Sequence, residues 1–264
     1  MNEAELLFTE IMGCDRASLY LNAKRAMPQT KAKIVSSVLR ARLRGEPIQY
    51  ILGEAEFMGM KFKVCPSVLI PRPETEILVE NTVELIRRVY PAGYCVRALD
   101  IGTGSGCIAV SLAAILKRIR ITALDISLEA LKVARLNARL NNVRDKISFL
   151  QSDLLKKLGL QDAFDVIVSN PPYIQSFQFD NLQPEIGYEP RIALDGGCDG
   201  LRFYRDIVAE SPPFLKKGGF LILEIGYGQL EETKDIIGRS PFFSIIESVS
   251  DYNGIDRVVV AKRK

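Results

Sequence analysis

From Arg97 to the end of the chain, apolar runs suited to strands alternate with amphipathic stretches suited to helices. Strands are expected at 97–101, 120–125, 146–152, 164–169, 220–225, 243–249 and 257–262. Helices are expected at 107–117, at 127–141 with Ser127 as N-cap, from near Asp199, and at 229–237. The run Phe-Asp-Val-Ile-Val-Ser at 164–169 is apolar at four of its six positions, three of them consecutive, as suits a strand covered on both faces. Such alternation packs as a parallel, doubly wound α/β sheet with helices on both sides.

The earlier part reads differently. Residues 1–45 are helical in pattern, with breaks near Gly13 and Met27-Pro28, and Gly45 ends the last helix. Ile34, Val35, Val38, Leu39 and Leu43 fall on one stripe and are expected to form its core face. Residues 48–70, Tyr50 and Ile51 among them, suit short strands, a hairpin above all. Pro71-Arg72-Pro73 punctuates the chain, and a helix is expected over 74–89. The division is therefore 1–47, helical; 48–72, hairpin linker; and 73–264, the main domain.

Composition removes several chemistries. Histidine is absent from all 264 residues, which excludes Ser-His-Asp and Cys-His catalysis and histidine metal sites. The five cysteines have no CxxC spacing, so neither zinc nor any other metal is expected. They are read as small buried hydrophobes in a reducing cytoplasm. No apolar run approaches a membrane span, and the opening Met-Asn-Glu-Ala-Glu lacks the basic start of a secretory signal. The formal net charge is +3; residues 1–75 carry 11 Lys/Arg against 8 Asp/Glu, leaving the remainder balanced. That is far from a nucleic-acid-binding surface, and no direct nucleic-acid contact is expected.

Three strand ends carry the candidate cofactor site. Asp100-Ile101-Gly102-Thr103-Gly104-Ser105-Gly106 joins a strand to a helix, where glycines permit a tight turn and close approach to a ligand. Its spacing is GxGxG; the dinucleotide pattern GxGxxG needs glycine where Cys107 stands. Asp125 ends the next strand, placed to accept from two ribose hydroxyls or to cap the helix after Ser127. Asp153 ends the third and suits an adenine amino group, with Leu154 on the ring, or an ordinary strand end. Nicotinamide binding stays open on these residues, but nothing downstream supports hydride chemistry.

The candidate reacting site is Asn170-Pro171-Pro172-Tyr173. The Asn170 side-chain oxygen and the Pro171 carbonyl are two acceptors able to fix a substrate NH₂. The prolines hold the backbone in one shape, and Tyr173 offers a flat face to a planar amide or base. Ser211-Pro212-Pro213-Phe214 also holds a proline pair, but it follows a helix and precedes Gly218-Gly219, and is read as a turn.

These stretches resemble the HemK/PrmC family, the peptide chain release factor glutamine N(5)-methyltransferases. The matching segments are Pro47 to Gly53, Val68 to Glu76, Asp100 to Gly106, Asn170 to Tyr173, and Tyr188-Glu189-Pro190 through Leu201. The Asn-Pro-Pro-Tyr motif is shared with adenine methyltransferases; Ile70 to Glu76 is far more specific. The resemblance implies a helical N-terminal domain, a hairpin linker and a Rossmann-like class I methyltransferase domain with a mainly parallel seven-stranded sheet. It implies S-adenosyl-L-methionine as cofactor, S-adenosyl-L-homocysteine as product, and the glutamine of a release factor's Gly-Gly-Gln motif as substrate. Gly102, Thr103, Gly104, Ser105, Gly106, Asp125, Asp153, Leu154 and Asn170 would hold the cofactor. Asn170, Pro171, Pro172 and Tyr173 would hold the substrate, with Asn170, Pro171 and Tyr173 catalytic. Family members often carry an aromatic residue where this chain has Leu154. Arg72 or Glu74 is expected at the mouth of the site, the loop 174–199 is expected to gate it, and Glu185 and Glu189 are read as solvated. The rival readings are a ribosomal-protein glutamine methyltransferase, a nucleic-acid adenine methyltransferase and a non-catalytic binding module that keeps the cofactor as a structural ligand.

Overall fold

The computed structural model describes residues 2–159, 161 and 163–264. Helix α1 (Glu3–Met12) opens with a capping box: the Glu5 N–H donates to the Asn2 side chain at 2.8 Å, and Glu5 accepts from the Asn2 N–H at 3.1 Å. Gly13 closes it in the left-handed conformation, and Asp15 caps α2 (Arg16–Leu21). Helix α3 (Gln29–Leu43) follows Pro28. Leu7, Ile11, Val35, Val38 and Ile48 make a small core of their own.

Two expectations are corrected here. The α3 core face is Val35, Val38 and Ala41, whereas Ile34, Leu39 and Leu43 are 48%, 49% and 87% exposed. With few helices to pack against, α3 buries only a narrow seam, and the apolar residues beside it face outward. Tyr50 and Ile51 belong not to a strand but to the short helix α4 (Ile48–Leu52), started after Pro47 and stopped by Gly53 at φ 73°. The hairpin itself is β1 (Glu54–Phe57) and β2 (Met60–Lys63), antiparallel. Met58 and Gly59 join them with φ of 52° and 69°, the paired positive φ of a tight hairpin turn.

Pro73 takes the first position of α5 (Pro73–Val89), where its missing N–H costs nothing. The strands β3 (Val96–Ile101), β4 (Ile119–Asp125), β5 (Ile147–Gln151), β6 (Phe164–Ser169), β7 (Leu215–Glu224), β8 (Phe243–Ser250) and β9 (Asp256–Arg263) form one seven-stranded sheet. Its order is β5-β4-β3-β6-β7-β9-β8, parallel except where β9 runs antiparallel between β7 and β8. Helices α5, α6 (Cys107–Ile115) and α7 (Leu128–Leu140) cover one face around Leu78, Leu112 and Val166. Helices α8 (Arg202–Glu210) and α9 (Leu230–Gly238) cover the other, around Tyr204, Ile207 and Ile237. The sheet is the doubly wound one expected, and β6 is buried at every position. Ser211 to Phe214 is the expected turn, a single 3₁₀ turn leading into β7.

Cys95 and Cys198 are exposed and the other cysteines half-buried, so the reading of all five as buried hydrophobes is corrected. Among the described residues no helix is long and apolar enough to cross a membrane, and no cluster of Cys, Asp and Glu side chains could hold a metal ion.

Candidate active site

The strand order reverses beside β3: the chain runs out through β4 and β5 on one side and returns to β6 on the other. Parallel sheets open a crevice at such a point, at the carboxyl ends of the strands. The register decides what meets there. Ile101 pairs with Leu124 and Ser169, and Ser169 pairs with Leu223. The next row of the sheet therefore holds Gly102, Asp125, Asn170 and Glu224.

A cavity of about 280 Å³ opens over this row. Gly102, Gly104, Asp125, Asp153, Leu154 and Asn170 line it, with Pro171 and Pro172. Opposite them stand Ser67, Val68 and Leu69 of the linker and Pro190, Ile192 and Ala193 of the long loop. Thr103, Ser105 and Gly106 do not face the cavity; they hold the loop in shape from behind. Thr103 donates to Asp100 at 2.6 Å, and Asn137 donates to the Ser105 carbonyl at 2.8 Å. A Cβ on Gly106 would sit 3.0 Å from that of Ala134, so α6 and α7 meet only because this residue is glycine.

The Asp125 carboxylate is anchored on both oxygens, by the Gly104 and Ser127 N–H groups at 2.8 Å each. It therefore serves the helix start and faces the cavity as well, and each oxygen keeps a free lone pair for a hydroxyl. Burial raises its pKa against those hydrogen bonds. Behind it, fully buried Asp100 is pushed up to about 7, chiefly by burial, and its Oδ1 has no partner. Asp153 sits nearer the surface and pairs with Lys156. The open glycine backbone, the anchored carboxylate and the apolar wall of Leu154 and Ile126 fit a nucleoside with a charged tail.

Asn170 donates from Nδ2 to the Thr75 hydroxyl at 3.0 Å. Tyr173 does not line the cavity; it packs beneath the long loop, where three glycines enclose it. A Cβ on Gly196 would lie 2.8 Å from the Tyr173 Cα, one on Gly200 2.4 Å from its carbonyl oxygen, and one on Gly226 2.9 Å from its ring. Burial first, then Glu224, pushes its hydroxyl up to about 12. Gly200 also has φ 74°. Gly200→Ala is therefore expected to cost about 2 kcal/mol or more of stability and to displace Tyr173. Thermal unfolding with a turnover assay checks this; a variant of wild-type melting temperature and turnover would remove the packing argument.

The loop after Tyr173 is not free. Glu189, read as solvated, is instead 6% exposed. It pairs with Arg72 and accepts from the Ile70 N–H at 3.1 Å. Arg72 and Glu74 do not line the cavity; Arg72 clasps the loop beside its mouth, and Glu74 lies 3.8 Å from Arg257. Glu185 is only partly exposed and reaches Arg42 at 3.4 Å. Sequence reasoning also missed Thr75, Glu224 and Asn137. Only Asn137 left a local signal: it stands three residues after Ala134 on the apolar stripe of α7.

Residues 1–53 match the PrmC N-terminal domain family, and residues 76–186 match the Methyltransferase small domain family. The release factor glutamine methyltransferase of Geobacter sulfurreducens is 43% identical over 97% of this chain and 87% of its own length. That of Fusobacterium nucleatum is 40% identical over 99% and 73%. Among solved structures, a methyltransferase from Pyrococcus furiosus overlays with a TM-score of 0.57 at 18% identity, covering 86% of this chain and 98% of its own. A ribosomal protein L11 methylase from Lactobacillus delbrueckii overlays at 0.52 and 22% identity, covering 73% and 80%. The two structures speak for the fold alone. The sequence relatives go further, and with them the chain belongs to the release factor glutamine methyltransferase family.

Proposed function

We propose that this chain transfers the methyl group of S-adenosyl-L-methionine to the side-chain amide nitrogen of the glutamine in the Gly-Gly-Gln motif of a peptide chain release factor. The observation that carries this reading is the shared row: Gly102, Asp125 and Asn170 stand side by side on three adjacent strands and line one cavity. A cofactor held at the first two has its reactive end beside the third.

The residues divide as follows. The backbone of Gly102 and Gly104 gives a close approach, with Thr103, Ser105 and Gly106 holding the loop in shape, Asp125 accepts from the ribose, and Asp153 and Leu154 bound the adenine end. Bound S-adenosylmethionine supplies a sulfonium methyl, an activated electrophile, and leaves as S-adenosylhomocysteine. The amide nitrogen is a poor nucleophile because its lone pair is delocalised, so the protein's work is orientation rather than strong base catalysis. Asn170 Oδ1 and the Pro171 carbonyl accept the two N–H groups and turn the nitrogen's lone pair toward the methyl. Pro172 keeps that backbone rigid, and Tyr173, neutral at ordinary pH, supports the motif from below. The extra proton leaves to solvent after transfer. The N-terminal domain, residues 1–47, with its excess of basic residues, recognises the protein partner, and the linker 48–72 joins it to the catalytic domain 73–264.

The test is direct. Purified enzyme is incubated with methyl-labelled S-adenosylmethionine and a bacterial lysate, and the products are treated with nuclease or protease. Label is expected to survive nuclease, to map by mass spectrometry to Gly-Gly-Gln of a release factor, and to vanish when that glutamine is replaced. Nuclease-sensitive label, or label on a ribosomal protein instead, would overturn the proposal.

A further inference from the structure

Asn170 can act as described only if its amide faces one way. With Oδ1 toward the cavity it accepts from a substrate NH₂; with Nδ2 there, two donors meet and the contact is lost. The Thr75 hydroxyl beside it does not decide the matter alone, because a hydroxyl donates or accepts with equal ease. Something beyond Thr75 has to break the symmetry.

Glu224 stands in the place to do so. It closes β7 in the same row of the sheet as Asn170, one strand over. It is 2% exposed, and the nearby Thr75 hydroxyl and Asn170 amide both favour its ionised form. Its Oε2 has no partner. Thr75, also 2% exposed, comes from a third element, the first turn of α5. Two side chains distant in sequence thus converge on the reacting residue from behind, away from the cavity.

The geometry points to a positioning role for Thr75 and Glu224: the ionised Glu224 carboxyl accepts a hydrogen bond from the Thr75 hydroxyl, so that Thr75 in turn accepts from Asn170 Nδ2 and leaves Oδ1 turned to the substrate nitrogen. An ionised carboxylate has no proton to give, so both neighbours must donate to it. The chain of donors then runs one way, from Asn170 through Thr75 to Glu224. Once Glu224 is protonated it can donate in return, and the bias on the amide disappears. Burial pushes Glu224 up to about 7, with Glu74 adding and Arg257 opposing. Tyr173, Tyr204 and Cys107 also face it, and all three stay neutral in this range because burial raises their pKa values. The orienting chain is thus intact above pH of about 7 and is lost as pH falls below it.

This inference rests on the reading of Asn170 as the holder of the substrate amide. The experiment measures kcat and KM with release factor for wild type, Asn170→Ala, Thr75→Val, Thr75→Ser and Glu224→Gln, with S-adenosylhomocysteine affinity and thermal unfolding as controls on the fold. Thr75→Val is expected to lower kcat by about 10- to 100-fold with KM and cofactor affinity within a few-fold, and Thr75→Ser to restore most of it. Wild-type kcat is expected to fall on the acid side with a midpoint near 7, and Glu224→Gln to lack that limb. In resting enzyme labelled with nitrogen-15, the Asn170 side-chain amide resonance should titrate with pH in wild type and stay fixed in Glu224→Gln. Wild-type kcat in Thr75→Val, or an acid limb or a titrating resonance that persists in Glu224→Gln, would overturn the inference. Should Glu224→Gln fail to fold, Thr75→Val against Thr75→Ser decides alone. An active Asn170→Ala would instead defeat the reading beneath it; an inactive one beside fully active Thr75 and Glu224 variants defeats this inference only.

Discussion

Replacing Asn170 with alanine is expected to lower turnover by about 100-fold or more while S-adenosylhomocysteine affinity stays within a few-fold of wild type. Asn170 lines the cavity just past β6, and Gly104, Asp125 and Asp153 line it from the carboxyl ends of other strands and the loops after them. Its loss therefore leaves the cofactor wall standing. What goes is the acceptor that fixes the direction of a planar amide during attack. Because that contact matters most as the nitrogen rehybridises, the fall should appear in kcat as well as in kcat/KM. Loss in KM alone would mark Asn170 as a simple binding residue. Truncation to alanine also removes the amide that donates to the Thr75 hydroxyl, so thermal unfolding is measured beside turnover. Calorimetry with S-adenosylhomocysteine and steady-state kinetics with release factor check the two halves separately. Turnover near that of wild type would refute the assignment.

What was legible in the sequence, and what was not, follows from the range of the interactions involved. The sheet strands, the glycine turn and the caps are local events. Ser127 caps α7 by accepting from the Ala130 N–H, a contact three residues long, and Pro73 starts α5 by its own geometry. Such features leave periodicity and composition behind them. Glu189 leaves none. Its burial depends on Arg72, 117 residues away, and nothing beside it in the chain signals a buried charge. The same holds for Thr75, which meets Asn170 across 95 residues. Thr75 reads as an ordinary helix-start threonine, and Glu224 as the polar end of a strand, until the register sets them in one place. The α3 stripe failed for a related reason. Periodicity reports which side of a helix is apolar, but how much of that side is covered depends on how many neighbours the small domain supplies, and here they cover only Val35, Val38 and Ala41. The run Tyr188 to Leu201 was visible only as a resemblance. Its physical basis is the packing of Gly196 and Gly200 on the Tyr173 backbone and the burial of Glu189.

Replacing Asp125 with alanine is expected to weaken S-adenosylhomocysteine binding by about 1.5–3 kcal/mol, roughly 10- to 150-fold, as for hydrogen bonds to a charged group. The carboxylate is pre-set: Gly104 and Ser127 hold both oxygens at 2.8 Å before any ligand arrives, so little entropy is lost in aiming it at the ribose. The same anchoring predicts a cost to the apo protein, because alanine leaves the Gly104 N–H without its partner and loosens the glycine turn. Asp125→Asn separates the two effects, since one amide oxygen can keep one backbone N–H while the charge is gone. Burial raises the Asp125 pKa, so wild-type affinity should begin to fall, as pH is lowered, before an ordinary aspartate would protonate. The sign follows from the direction of the hydrogen bonds: a carboxylate accepts from both ribose hydroxyls, and a protonated acid loses an acceptor. Affinity is therefore full above the raised pKa and declines below it, while Asp125→Asn should be flat over the same range. Titration of S-adenosylhomocysteine at several pH values measures both. Equal affinities for wild type and Asp125→Ala would remove Asp125 from the ribose and leave it a helix cap alone.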